Sequence, residues 1–193
     1  MGTVASAMSM SLDGFVTGPK PSREHPLGVG GEPLHAWLGP QASPQDRAVL
    51  GEMVAGAGAI VMGRRSYDLT AGDGGWGDGG PVGDTPCFVL THRPPEQAPS
   101  VFTFVTDGIA SAISQAQAVA GERTVGLHGA STPQQALAAG LLDEIHVHLV
   151  PILLGDGVRL FDLLGAGPRA LQRTRVVVSD SGVTHLCYRP VGH

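Results

Sequence analysis

Ala59-Ile60-Val61-Met62-Gly63-Arg64-Arg65-Ser66 sets an unbroken apolar run against a glycine and two cations. A short apolar run bounded by glycine reads as a strand buried on both faces, which is the habit of parallel sheets. Gly63 ends it and a brief helix follows. The same grammar recurs twice downstream. Cys87-Phe88-Val89-Leu90 ends on Thr91-His92-Arg93. Thr124 to Leu127 ends on His128-Gly129-Ala130-Ser131-Thr132, where Ser131-Thr132-Pro133 opens a helix with proline at an early position.

Working outward, Thr3 to Met10 reads as a buried first strand that Ser11-Leu12-Asp13-Gly14 turns into a long loop. Leu34, Trp37 and Leu38 suggest a helical turn. Pro44 to Ala55 has helical spacing at Val49, Leu50, Met53 and Val54, with Ser43 as N-cap. Phe102 to Val105 is a strand, and Asp107-Gly108 caps a helix through Ala120. After Asp143, Ile145, Val147 and Leu149 alternate with His146 and His148, a half-exposed strand. Arg175–Val178 and Thr184–Tyr188 form a pair turned at Ser179-Asp180-Ser181-Gly182. Strands alternating with helices, then an antiparallel pair, predict an α/β fold. Its sheet is mostly parallel, with antiparallel C-terminal strands and helices on both faces. No linker divides the chain, so residues 1–193 are expected to form a single domain.

Composition narrows the partners. Apolar residues make up 42% and charged ones 15%, as in globular chains. The net charge is −5 and Lys20 is the only lysine, so no basic stripe offers a nucleic-acid surface. No run approaches the ~20 apolar residues of a membrane span, and the N-terminus does not read as a signal peptide. A cytoplasmic protein is the expectation. Cys87 and Cys187 read as free thiols, although spacing alone leaves a disulfide open.

The three strand ends are the candidate site, because ligands of open α/β sheets lie beyond the carboxyl ends of the strands. Gly63 lets backbone approach a ligand, and Arg64, Arg65 and Arg93 offer guanidinium forks for phosphate. Thr91 adds a hydroxyl and His92 can stack or donate. Gly129, Ala130, Ser131 and Thr132 present helix N-terminal amides to a pyrophosphate. Arginines that merely solvate a sheet edge and an ordinary Ser-Thr-Pro cap account for the same residues. No G-x-G-x-x-G or Walker A pattern is present.

Four segments in order resemble the dihydrofolate reductase-like family, in the branch of the reductase domain of bifunctional riboflavin-biosynthesis proteins. They are Met8 to Val16, Val61 to Tyr67, Phe88 to Arg93, and Leu141 to Ile145 with Pro151 to Gly155. The resemblance implies a three-layer fold, NADPH as cofactor, a reductase activity on a small heterocyclic substrate of pterin or aminopyrimidine type, and a homodimer. It implies that Gly63, Arg64 and Arg65 lie near the adenosine 2′-phosphate, with Thr91, His92 and Arg93 as a second wall. Gly129 to Thr132 would lie under the pyrophosphate, and Ser11, Asp13 and Gly14 beside nicotinamide and substrate. Two departures stand out. Gly129-Ala130 replaces the usual Gly-Gly, where a Cβ crowds the backbone, and Ala7 stands where the riboflavin reductases carry lysine. The zinc-deaminase signature is absent.

Asp13 is the candidate catalytic carboxyl, and equally a turn residue bonded to its own backbone. Trp37 could wall the substrate pocket or plug the core. His146 and His148 share one strand face without a third ligand, so no metal site is expected. Gly72 to Gly83 could be a lid. Three functions remain: a reductase that turns over, a non-catalytic NADP(H)-binding protein such as a redox sensor, and a structural dimer whose site is vestigial.

Overall fold

A computed structural model describes residues 1–71, 75–162, 164–165 and 167–191. Part of the expected lid, residues 72–74, lies outside the described residues. Among the described residues, ten strands and four α-helices run in this order: β1 Val4–Ser11, β2 Phe15–Thr17, a 3-10 helix Glu32–Leu38, α1 Pro44–Gly56, β3 Ala57–Gly63, α2 Arg64–Thr70, β4 Cys87–Leu90, β5 Phe102–Val105, α3 Ile109–Ala120, β6 Thr124–His128, α4 Ser131–Ala138, β7 Glu144–Val150, β8 Val158–Arg159, β9 Leu171–Val178 and β10 Thr184–Pro190. The main sheet has the order β5-β4-β3-β6-β1-β7-β10-β9. Its pairs are parallel from β5 to β7, and β10 is antiparallel to both β7 and β9. The α/β architecture expected from the sequence is therefore present.

Register assigns the faces. Val4, Ala59, Val61, Val125, Leu127, Ile145 and Val147 pack on one face against α3 and α4, which contribute Ala112, Ile113, Ala116, Ala136 and Leu137. The opposite face is covered in two patches. Near β3 to β5, Ile60, Met62, Val89 and Phe102 pack with Tyr67 of α2. Near β7, Leu34 and Trp37 of the 3-10 helix pack with Val150 and with Leu50 and Met53 of α1. Between these patches the sheet carries Ala5, Ala7, Ser9 and Gly126, whose small side chains leave space. A cavity of about 940 Å³ fills that gap.

Local signals explain the flanking helices. Ser43 caps α1 by accepting from the Asp46 amide at 3.1 Å, and Asp46 returns the bond from the Ser43 amide at 3.0 Å. That reciprocal pair satisfies two orphan donors. Gly108 rather than Asp107 sits at the N-cap of α3, at φ 100, and no side chain caps that helix. Two further expectations need correction. The small β2–β8 sheet has no counterpart in the sequence reading. β7 is largely buried rather than half-exposed, because α1 and the 3-10 helix cover its polar face.

Candidate functional site

The ends of β3 and β6 lie side by side, with Met62 paired to His128. The turns that follow are in close contact. A Cβ on Gly129, at φ +86, would come 3.0 Å from Ser66 Oγ, and one on Gly63 would come 3.1 Å from Ser131 Oγ. The positive φ favours glycine at 129, and the Ser66 hydroxyl lies close enough that a Cβ there would have to push it aside. The result is a cradle lined by backbone between α2 and α4, and α4 has no side-chain cap on its first amides. Ala130 sits at φ −92, ψ −41, ordinary helical backbone, so replacing glycine there brings no strain.

The arginines divide their work. Arg64 Nε pairs with Asp68 at 2.7 Å, while its Nη1 donates to the Arg93 carbonyl and, at 3.5 Å, to Thr91 Oγ1. The Arg93 amide also donates to Thr91 Oγ1, at 3.1 Å. Arg64 thus braces α2 against the end of β4. Arg65, His92 and Arg93 are exposed, and Arg65 lines the cavity. Backbone amides in the cradle with exposed guanidinium groups beside it fit a phosphorylated dinucleotide.

His128 closes the cavity near this cradle. Burial, helped by His35, holds its pKa down to about 4, so the ring is neutral at pH 7. Trp76 meets it edge-on with centroids 5.3 Å apart, and Thr132 Oγ1 donates to its carbonyl at 2.9 Å. Ser131 and Ala130 line the same cavity.

Ser11, Asp13 and Gly14 form a tight structural unit. Ser11 Oγ donates to Asp13 Oδ1 at 2.6 Å and accepts from the Phe15 amide at 3.0 Å. The Leu154 and Gly155 amides donate to the two Asp13 oxygens at 3.1 and 2.7 Å. The Ser11 bond first, then these amides, hold the Asp13 carboxyl down to about 2. Asp13 therefore clamps the loop after β1 to the segment after β7. Gly14, at φ 90, makes the turn.

Trp37 is buried and lines the cavity, so it is both wall and plug. Its Nε1–H donates to Ser9 Oγ at 2.9 Å, and its ring lies 4.6 Å from His148 and 5.0 Å from His185. Behind it runs a buried polar chain that sequence reading missed. His148 Nδ1 is 2.9 Å from His185 Nδ1, and His185 Nε2 is 3.0 Å from Asp46 Oδ1. Burial pushes the Asp46 carboxyl up, but bonds from Ser179, the Ser43 amide, Ser181 and His185 outweigh it, so its pKa lies below the usual range. These residues come from α1, β7 and β10, and no spacing signal links them. Ala7, where the resemblance implies a lysine, lies beside His146 and leaves open floor. Among the described residues no group of three or more metal-ligating side chains could hold an ion.

In a sheet of this topology the ends of the parallel strands, where the cradle opens into the cavity, are where ligands of α/β proteins lie. The RibD C-terminal domain family matches residues 2–185, and the chain belongs to that family. It is reductase-like. A protein of Shewanella sp. PV-4 provisionally named as a riboflavin biosynthesis protein is similar over 100% of both chains, at 23% identity and a TM-score of 0.73. Dihydrofolate reductase from Enterococcus faecalis, solved with NADP(H), is similar over 99% of this chain and 98% of that one, at 14% identity and a TM-score of 0.62. A deaminase/5-amino-6-(5-phosphoribosylamino)uracil reductase from Thermotoga maritima matches 98% of this chain but 56% of its own length, at 15% identity and a TM-score of 0.64. At these identities the likeness concerns the fold. No curated protein sequence matches significantly. No described helix is long and apolar enough to cross a membrane.

Proposed function

We propose that the chain is an NADPH-dependent reductase of a small heterocycle of pterin or aminopyrimidine type. The observation that carries this reading is the single cavity joining the cradle at Ser66, Gly129 and Ser131 to the compartment walled by Trp37 and His148. A cofactor held at the cradle and a substrate held by Trp37 would share one space. Arg65, His92 and Arg93 would hold the 2′-phosphate, and the amides after Gly129 the pyrophosphate. NADPH, when bound, supplies hydride.

The chain's own residues orient and exclude water. Arg64 keeps the Thr91–Arg93 wall against α2. Asp13, ionised above its value of about 2, anchors the loop after β1 to the segment after β7 rather than donating a proton; residues 11–14 do not line the cavity. Trp37 walls the compartment. Oxidation of NADPH at 340 nm against dihydrofolate, pterins and aminouracils tests turnover. Saturable NADPH binding with no oxidation of any compound would favour the sensor reading instead.

A further inference from the structure

The buried chain Asp46–His185–His148 has one open end. His148 and His185 are each 3% exposed and Asp46 0%. His148 lines the cavity, and its Nε2 has no hydrogen-bond partner among the described residues. We propose that this chain is a proton relay that supplies, through His148 Nε2, the proton required at the heteroatom of the reduced bond. The inference rests on the reductase reading above and adds the proton donor that reading lacks.

Hydrogen-bond polarity sets the mechanism. Ionised Asp46 only accepts, so His185 Nε2 carries a hydrogen. With both rings neutral, His185 Nδ1 accepts from His148 Nδ1–H at 2.9 Å, leaving a lone pair on His148 Nε2. One added proton changes both rings together. It lands on His148 Nε2, the Nδ1 proton passes to His185, and the positive charge rests beside the Asp46 carboxylate. Once the carbon of a C=N or C=O bond has taken hydride, its nitrogen or oxygen takes the Nε2 proton. The His185 Nδ1 proton then returns to His148 Nδ1. The relay has lost one proton and is neutral again, and solvent reloads it.

The surroundings keep charge off His148 itself. Burial first, then His185 on β10, His146 on β7 and His35 on the 3-10 helix hold His148 down to about 3, with Asp46 on α1 opposing. The 3.0 Å contact of the His185 ring with the Asp46 carboxylate gives the relayed charge its counter-ion, and His148 conducts without storing charge. Trp37 packs beside both rings, tilted at 45° to His148 and edge-on to His185.

Long-range proton–nitrogen correlation spectra of the full-length, cofactor-free protein test this directly, with resonances assigned through His148→Gln and His185→Gln. The expected result at neutral pH is His148 as the Nδ1–H tautomer and His185 as Nε2–H. On acidification both rings should change in one event, with His185 gaining a proton as His148 switches to Nε2–H. Asp46→Asn should move that event to lower pH. A His148 fixed as Nε2–H throughout, or rings that titrate independently, overturns the relay. In turnover with the compound found by NADPH oxidation, His148→Leu should lower kcat about 100-fold or more while NADPH affinity is kept. An unchanged kcat overturns the donor role. If the tautomer pair is found but wild-type protein binds no NADPH, the reductase reading fails, and the donor role with it.

Discussion

Asp46 serves two structures at once, so its replacement should cost more than either alone. Asp46→Ala removes the acceptor of the Ser43 amide, half of the capping box on α1. Loss of such a cap costs about 1 kcal/mol. It also strands the buried Nε2–H of His185, which donates to Asp46 Oδ1 at 3.0 Å. An unpaired buried donor costs roughly 1–3 kcal/mol. The two together predict a loss of about 2–4 kcal/mol, read by urea unfolding at pH 7. Asp46→Asn, whose amide oxygen still accepts, should lose less. The pH sign follows from linkage. A carboxyl whose folded pKa is depressed contributes above its unfolded value, ~4, and loses that contribution as pH falls through the folded value. The gap between wild type and Asp46→Ala should therefore be full at pH 5 to 7 and shrink toward pH 2. A loss under ~0.5 kcal/mol, or a gap that widens as pH falls from 5 to 3, would refute the reasoning.

Four other outcomes follow from the structure. Gly129→Val forces a β-branched residue to positive φ and drives Cβ toward Ser66 Oγ, so it should weaken NADPH binding and lower Tm; Ala130→Gly should leave NADPH affinity unchanged, since 130 is already in ordinary helical backbone. Asp13→Asn should slow turnover by loosening its hold on Leu154 and Gly155, yet leave the pH–rate profile above pH 5 in place; a displaced profile would make Asp13 the titrating group. Of the two thiols, Cys87 is buried and pushed up to about 12 by desolvation, whereas half-buried Cys187 lines the cavity. Thiol-reactive dye at pH 8 should label Cys187 and spare Cys87, as read by mass spectrometry.

The parts visible in the sequence are those whose cause is local. The apolar run ending at Gly63 needs burial on both faces, and it lies in the middle of the parallel sheet. Ser43 announces α1 because its capping partner is three residues away. Phe15–Thr17 and Val158–Arg159 escaped notice because a three-residue and a two-residue strand have too few positions for a period of two. The burial of His148 is hidden from the sequence for another reason. Alternation looks the same whether the polar face meets water or a chamber closed by Trp37, and only tertiary packing separates the two. The relay joins residues 139 and 37 positions apart, so no window along the chain could contain it.

Direct titration tests whether the cradle at Gly63, Gly129 and Ser131, with Arg65 beside it, holds NADPH. Trp37 and Trp76 both line the cavity, so intrinsic fluorescence reports occupancy. Titration of wild-type protein with NADPH should give a saturable change at micromolar concentrations, with NADH binding more weakly. Arg65→Ala should narrow that preference by about 10-fold or more, since a charge-assisted phosphate contact contributes roughly 1.5–3 kcal/mol. No saturable change up to ~1 mM NADPH, an affinity of only ~4 kcal/mol, would contradict the account.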